Sequence, residues 1–116
     1  MNKCCGNYIN GRKCPTCNKA IIVYISGKVS GLDIEVAKKS FQDAETRLIE
    51  LGYDVVNPLK LSDDHDKTWE SYMRVCITHL TLCNAIYMLD GWENSKGAKL
   101  EYYLANELKI KQICRI

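Results

Sequence analysis

The spacing of apolar residues switches back and forth along this chain. The run "AIIVYIS", residues 20–26, is continuously apolar and rich in β-branched side chains, and Gly27 closes it. That reads as a strand buried on both faces. A glycine-rich loop, "GKVSGLD", follows, and Asp33 is placed to cap a helix. Ala37, Phe41, Ala44, Leu48 and Leu51 then recur at helical spacing, with Gly52 as a C-terminal stop. "YDVVNP" predicts a second strand closed by Pro58, and "LKLSDDHDK" a polar loop. Trp69, Tyr72, Met73, Cys76, Ile77 and Leu80 make another helical stripe. "NAIYML", 84–89, predicts a third strand, Ser95 a cap for a helix from Lys96 to about Leu108, and "KQICRI" a last strand.

Strands alternating with helices in this way predict an α/β fold: a flavodoxin-like, or Rossmann-like, parallel sheet of four to five strands with helices on both faces. Ligands of such sheets bind beyond the C-terminal strand ends, where strand order reverses. The loops expected there, 27–33, 57–67 and 90–95, hold Gly27, Gly31, Gly91 and many polar side chains.

Residues 1–19 differ in character. They are polar, with Gly6, Gly11 and Pro15, and carry Cys4, Cys5, Cys14 and Cys17 among the chain's seven cysteines. They read as a Cys-rich N-terminal appendage to one domain at 20–116. "CPTC" has zinc-knuckle spacing, and four thiolates can close a tetrahedral site. Against a structural zinc stand the adjacency of Cys4 and Cys5 and the lack of a second C-x-x-C, so an unmetallated tail is the alternative. His65 and His79 read as a loop and a helix residue, not as ligands. No further cofactor is called for. Cys76, Cys83 and Cys114 fall in apolar periodic segments, where a thiol acts as a small hydrophobe. With an odd total, this favours a reducing, cytoplasmic setting.

Composition narrows the partners. Apolar residues are 47% and charged residues 26%, with a formal net charge of +2. These are the proportions of an ordinary soluble domain. No Lys/Arg run marks a nucleic-acid polymer as partner. No apolar run nears the roughly 18 residues of a membrane span, and the start has no segment of signal-peptide type.

One residue breaks the pattern. On the last helix Leu104 and Leu108 define the expected buried direction, and Glu101 lies within about 40° of it at 3.6 residues per turn. An unpaired buried carboxylate is unfavourable and would take up a proton first. Glu101 is then either a boundary residue that leans out or pairs with Lys28 or Arg74, or a partly desolvated nucleophile or acid/base facing a pocket.

"YISG", "GYDVVNP" and "LDGWENSKGAKLEYYLANEL", in this order and spacing, resemble the nucleoside 2-deoxyribosyltransferase-like superfamily, closest to a small phage and bacterial branch of undefined function. The resemblance covers residues 21 to about 113. It implies cleavage or exchange of the N-glycosidic bond of a nucleoside or nucleotide, with Glu101 as nucleophile. Ser95, six residues earlier, matches the serine of the phosphate-accepting branch. The 26–31 loop, with Ser26, Gly27, Lys28 and Gly31, would help hold the phosphate. Asn57, Gly91 and Gly97 join the candidate binding set. Tyr24 matches a tyrosine near the sugar, or is a core residue. Asp90 contacts base or sugar as a further catalytic residue, or simply turns the chain in "DGW". Trp92 stacks on a base, or covers the sheet edge or a subunit contact. The resemblance also implies a homo-oligomer, dimer or higher.

The sequence departs from the pattern in two places. Cys76 stands where the family carries an aspartate that protonates the leaving base, and Asn84 where another often starts the third strand. A thiol of ordinary pKa is a poor acid for that step. Either another acid serves (Asp90, or one from 62–66), or the base leaves unaided, or the pocket binds a nucleotide without turning it over. The last makes the chain a signal-capturing nucleotide-binding module.

Overall fold

The computed structural model describes residues 21–29, 31–61 and 68–113. Four strands, β1 (Ile22–Ser26), β2 (Asp54–Val56), β3 (Ala85–Met88) and β4 (Lys111–Ile113), alternate with three helices, α1 (Ile34–Glu50), α2 (Trp69–Leu80) and α3 (Lys96–Glu107). All strand pairs are parallel, and the sheet order is β2-β1-β3-β4. The α/β, flavodoxin-like expectation is met, with four strands.

Local chemistry explains where the helices start. The Asp33 side chain accepts from Glu35 N, Thr68 from Ser71 N and Ser95 from Ala98 N. Each satisfies a backbone donor that the first helical turn leaves unpaired. Gly52, at φ +98°, lets the chain leave α1 in a left-handed conformation.

The pleat divides the core in two. Val23 and Ile25 on β1 pack with Phe41, Ala44 and Leu48 of α1. Tyr24, on the opposite face, packs with Cys76 and Leu80 of α2 and Ala98 and Ala105 of α3. Alternation along a strand requires this division, so Ser26 shares the Tyr24 side. Cys76 and Cys83 are buried free thiols, and burial pushes the Cys83 thiol up to about 11. Cys114 and the 1–19 appendage, with its proposed zinc ligands, lie outside the described residues.

One expectation needs correcting. Leu108 does not define the buried side of α3. It is 53% exposed and sits just past the helix end, as its C-cap. The buried residues of α3 are Ala98, Glu101 and Ala105. Two alanines let the helix axis lie close to the sheet, where leucines would hold it off.

At the strand tips β1 and β3 are locked together. Leu89 N donates to Ser26 O at 2.8 Å. A Cβ on Gly27 would stand 2.8 Å from Leu89 Cδ1 and 2.9 Å from its Cβ. The Gly27→Ala variant should therefore lose about 1–3 kcal/mol through overpacking. A urea midpoint equal to that of the parent protein would refute this close approach.

Candidate functional site

Strand order reverses between β1 and β3, since one neighbour is reached through α1 and the other through α2. At this switch point the loops part and leave a crevice. A cavity of about 690 Å³ lies there. Its walls come from the β1 tip (Gly27, Lys28), the start of α2 (Trp69, Tyr72) and the first turns of α3 (Ser95, Gly97).

Glu101 lines this cavity and is only 5% exposed. Its Oε2 accepts from the Tyr24 hydroxyl and its Oε1 from the Ser26 hydroxyl, each at 2.6 Å. The carboxylate thus pairs with neither Lys28 nor Arg74. Two neutral hydroxyls hold it, one on each oxygen. Burial raises its pKa, and the bonds from Ser26 and Tyr24 pull the other way, with a net rise. Burial and the nearby Glu101 charge push the Tyr24 phenol far above its ordinary range, so it remains a proton donor.

This arrangement has a chemical meaning. A carboxylate stripped of water, and fixed in plane by two short charge-assisted bonds, keeps lone pairs for an electrophile in the cavity. Strand alternation puts Tyr24 and Ser26 two residues apart on one face, so both hydroxyls reach the same group. Beneath them lies Cys76. Its thiol is 1% exposed, touches the phenols of Tyr24 and Tyr72, and is raised by burial. It belongs to the packed support of the site and does not line the cavity.

The other candidate residues divide. Gly27, Lys28, Ser95 and Gly97 line the cavity with Glu101 and Tyr24. Ser26 meets the site through Glu101. Lys28 Nζ donates to Asn94 O at 3.1 Å, tying the β1 loop to the turn before α3. Gly97 permits close packing, since a Cβ there would stand 3.0 Å from Met73 Sδ.

Asp90, Asn57, Gly31, Gly91 and Trp92 are not brought to this cavity. Asp90 borders a separate hollow of about 410 Å³ against α1, with Asp43 and Arg47. Asn57 is a structural clamp: its Nδ2 donates to Glu45 Oε1, and its Oδ1 accepts from Leu59 N. Gly31 and Gly91 hold positive φ in turns, +83° and +87°. Trp92 lies against Tyr102 with ring centroids 4.5 Å apart, and covers the core beside α3.

Sequence reasoning assigned Trp69 and Tyr72 to a core stripe and passed over Lys96. All three line the cavity. A usable signal was present: Trp69 and Lys96 open helices whose N-termini face the strand tips.

Among the described residues no group of three or more His, Cys, Asp or Glu could hold a metal ion. Nor is any helix among them long and apolar enough to cross a membrane. No curated protein and no solved structure matches the chain. The family described as a domain of unknown function (DUF4406) matches residues 21–114. That span includes all four strands and every residue named on the cavity wall, and the chain belongs to this family.

Proposed function

We propose that the cavity binds a nucleoside 5′-monophosphate or a related nucleotide, and that Glu101 attacks C1′ to cleave or exchange the N-glycosidic bond. The single observation behind this reading is the buried Glu101 carboxylate at the cavity wall, held by the Tyr24 and Ser26 hydroxyls. The likeness to the nucleoside 2-deoxyribosyltransferase-like superfamily supplies the reaction class. In the step, a Glu101 oxygen bonds to C1′ while the C–N electron pair departs on the base. The resulting glycosyl ester is resolved by water or by a second base. The Ser95 hydroxyl and the backbone donors of the first α3 turn favour an anionic group beside it.

A second reading has its own support. Apart from Glu101, no acid lines the cavity among the described residues. Asp90 faces elsewhere, and Cys76 is a buried thiol. The candidate acids at 62–66 lie outside the described residues. General-acid help is typically worth about 10²- to 10⁴-fold, so a cavity lined as the described residues line it suits a nucleotide-binding module. Both readings carry the homo-oligomer, for which exposed Leu32, Ile34 and Val36 offer apolar surface.

A panel of nucleosides and 5′-monophosphates, assayed by chromatography for released base, tests the first reading. Base should appear with the monophosphates and vanish in Glu101→Ala. Tight calorimetric binding without release, surviving Glu101→Ala, would replace the enzyme with the module.

A further inference from the structure

The cavity rim carries positive charge that has no ion-pair partner among the described residues. Lys28 and Lys96 both line it, and Glu101 is the only carboxylate among the described lining residues. Glu101 is committed to two hydroxyls. Among the described residues neither lysine is ion-paired. Lys28 donates to a carbonyl. Lys96 has a weaker hold: its Nζ sits 4.0 Å from the centroid of the Trp69 ring.

Trp69 is the first residue of α2 and Lys96 the first of α3, so this contact spans the cavity between two helix starts. The indole also turns its Nε1 edge toward α3. A Cβ on Gly97 would stand 3.7 Å from Trp69 Nε1. Edge contact with α3 leaves the ring faces as its binding surfaces, and Lys96 covers one of them. A cation over an aromatic face at an exposed site is a weak interaction. An ammonium facing a phosphate gains a charge-assisted bond about twice as strong as a neutral one. An anion at the start of α3 would therefore win Lys96 from the ring.

We propose that Lys96 and Trp69 form a two-part recognition element for a ligand that joins an anionic group to a flat aromatic ring. The anion draws the Lys96 ammonium off the indole, and the ring takes its place on the uncovered face. This inference rests on the nucleotide reading and sharpens it. A nucleoside without its phosphate has to displace the ammonium with nothing to compensate. A phosphate without a base leaves the indole unused. Discrimination for monophosphate over nucleoside thus resides in Lys96, and affinity common to both resides in Trp69.

Calorimetric titration of the full chain carrying Glu101→Gln, which blocks turnover, tests this. The probes are the monophosphates of the four common bases and their matched nucleosides. Adding Lys96→Met should weaken the monophosphate about tenfold and leave the nucleoside equal or tighter, because the indole is already bare. Adding Trp69→Leu should weaken both by a similar factor. A general structural role for Lys96 would lower both ligands together, and that result overturns the proposal. So does a Lys96→Met variant that binds both as its parent does. Should the predicted split appear while the unsubstituted chain releases no base, the glycosidic reading fails alone. Absence of binding by either ligand class overturns both.

Discussion

Replacing Glu101 by glutamine should abolish base release and, at neutral pH, make the protein more stable. The reason lies in what the fold asks of this side chain. Burial raises the Glu101 pKa above 4.5, and the Ser26 and Tyr24 bonds recover only part of that rise. The folded protein then holds a proton that the unfolded chain has released, over the window from about pH 4.5 up to the raised folded value. Fewer protons bound in the unfolded state means that stability falls as pH rises through this window. Above it the full penalty of an ionised, desolvated carboxylate remains. An amide has no charge to desolvate. Its oxygen can accept from one hydroxyl, and its N–H can donate to the other.

The expected result is a Glu101→Gln urea midpoint above that of the parent at pH 7, and a difference that closes as pH drops through the window. Activity should fall by at least about 10³-fold, since an amide cannot form the glycosyl ester. In the parent, turnover should rise with pH along a limb above the ordinary carboxylate range, as Glu101 ionises. A glutamine variant less stable than the parent at pH 7 would show that Glu101 contributes favourably to folding. The site would then lack the stability–function conflict expected of a catalytic carboxylate.

The second large effect belongs to Phe41. It is 1% exposed on α1, packs with Val23, Ile25, Leu48 and Ala85, and reaches the cavity wall at the strand tips. Phe41→Ala should destabilise by about 3–5 kcal/mol, a large part of the roughly 5–15 kcal/mol typical of a domain. Phe41→Leu, closer in volume, should lose much less. Denaturant titrations with unchanged slope would report this as a midpoint shift. A loss under about 1 kcal/mol in the alanine variant would mean that α1 does not seal this face of the sheet. Because the same ring borders the cavity, the leucine variant should remain folded while weakening the nucleotide binding proposed for it.

These two residues show how differently the parts of this protein can be read. Phe41 is legible from spacing alone: it sits among Ala37, Ala44 and Leu48 at intervals of three and four. The inward aim of Glu101 was legible too, although Leu108 was a false guide to the buried side. Wheel geometry extrapolates a helix past its end, and Leu108 is already the C-cap. Trp69 could not be distinguished from a core residue by period. Its place at a helix start, near the strand tips, is what turns it toward the cavity. Asp90 looked equivalent to the other strand-tip polar residues, and only the direction of its turn sends it toward α1.

The order of elements, the caps at Asp33 and Ser95, and the buried strand β1 follow from the sequence by itself. Propensity, capping and hydrophobic period act over a few residues, and those residues are adjacent in the chain. What holds Glu101 was decided by the tertiary structure. Its partners Tyr24 and Ser26 lie 77 and 75 residues away, and meet it only because β1 sits at the centre of a β2-β1-β3-β4 sheet with α3 packed over it. The pairing of Trp69 with Lys96 has the same origin, since two helix starts share one crevice only after the crossovers have set the strand order.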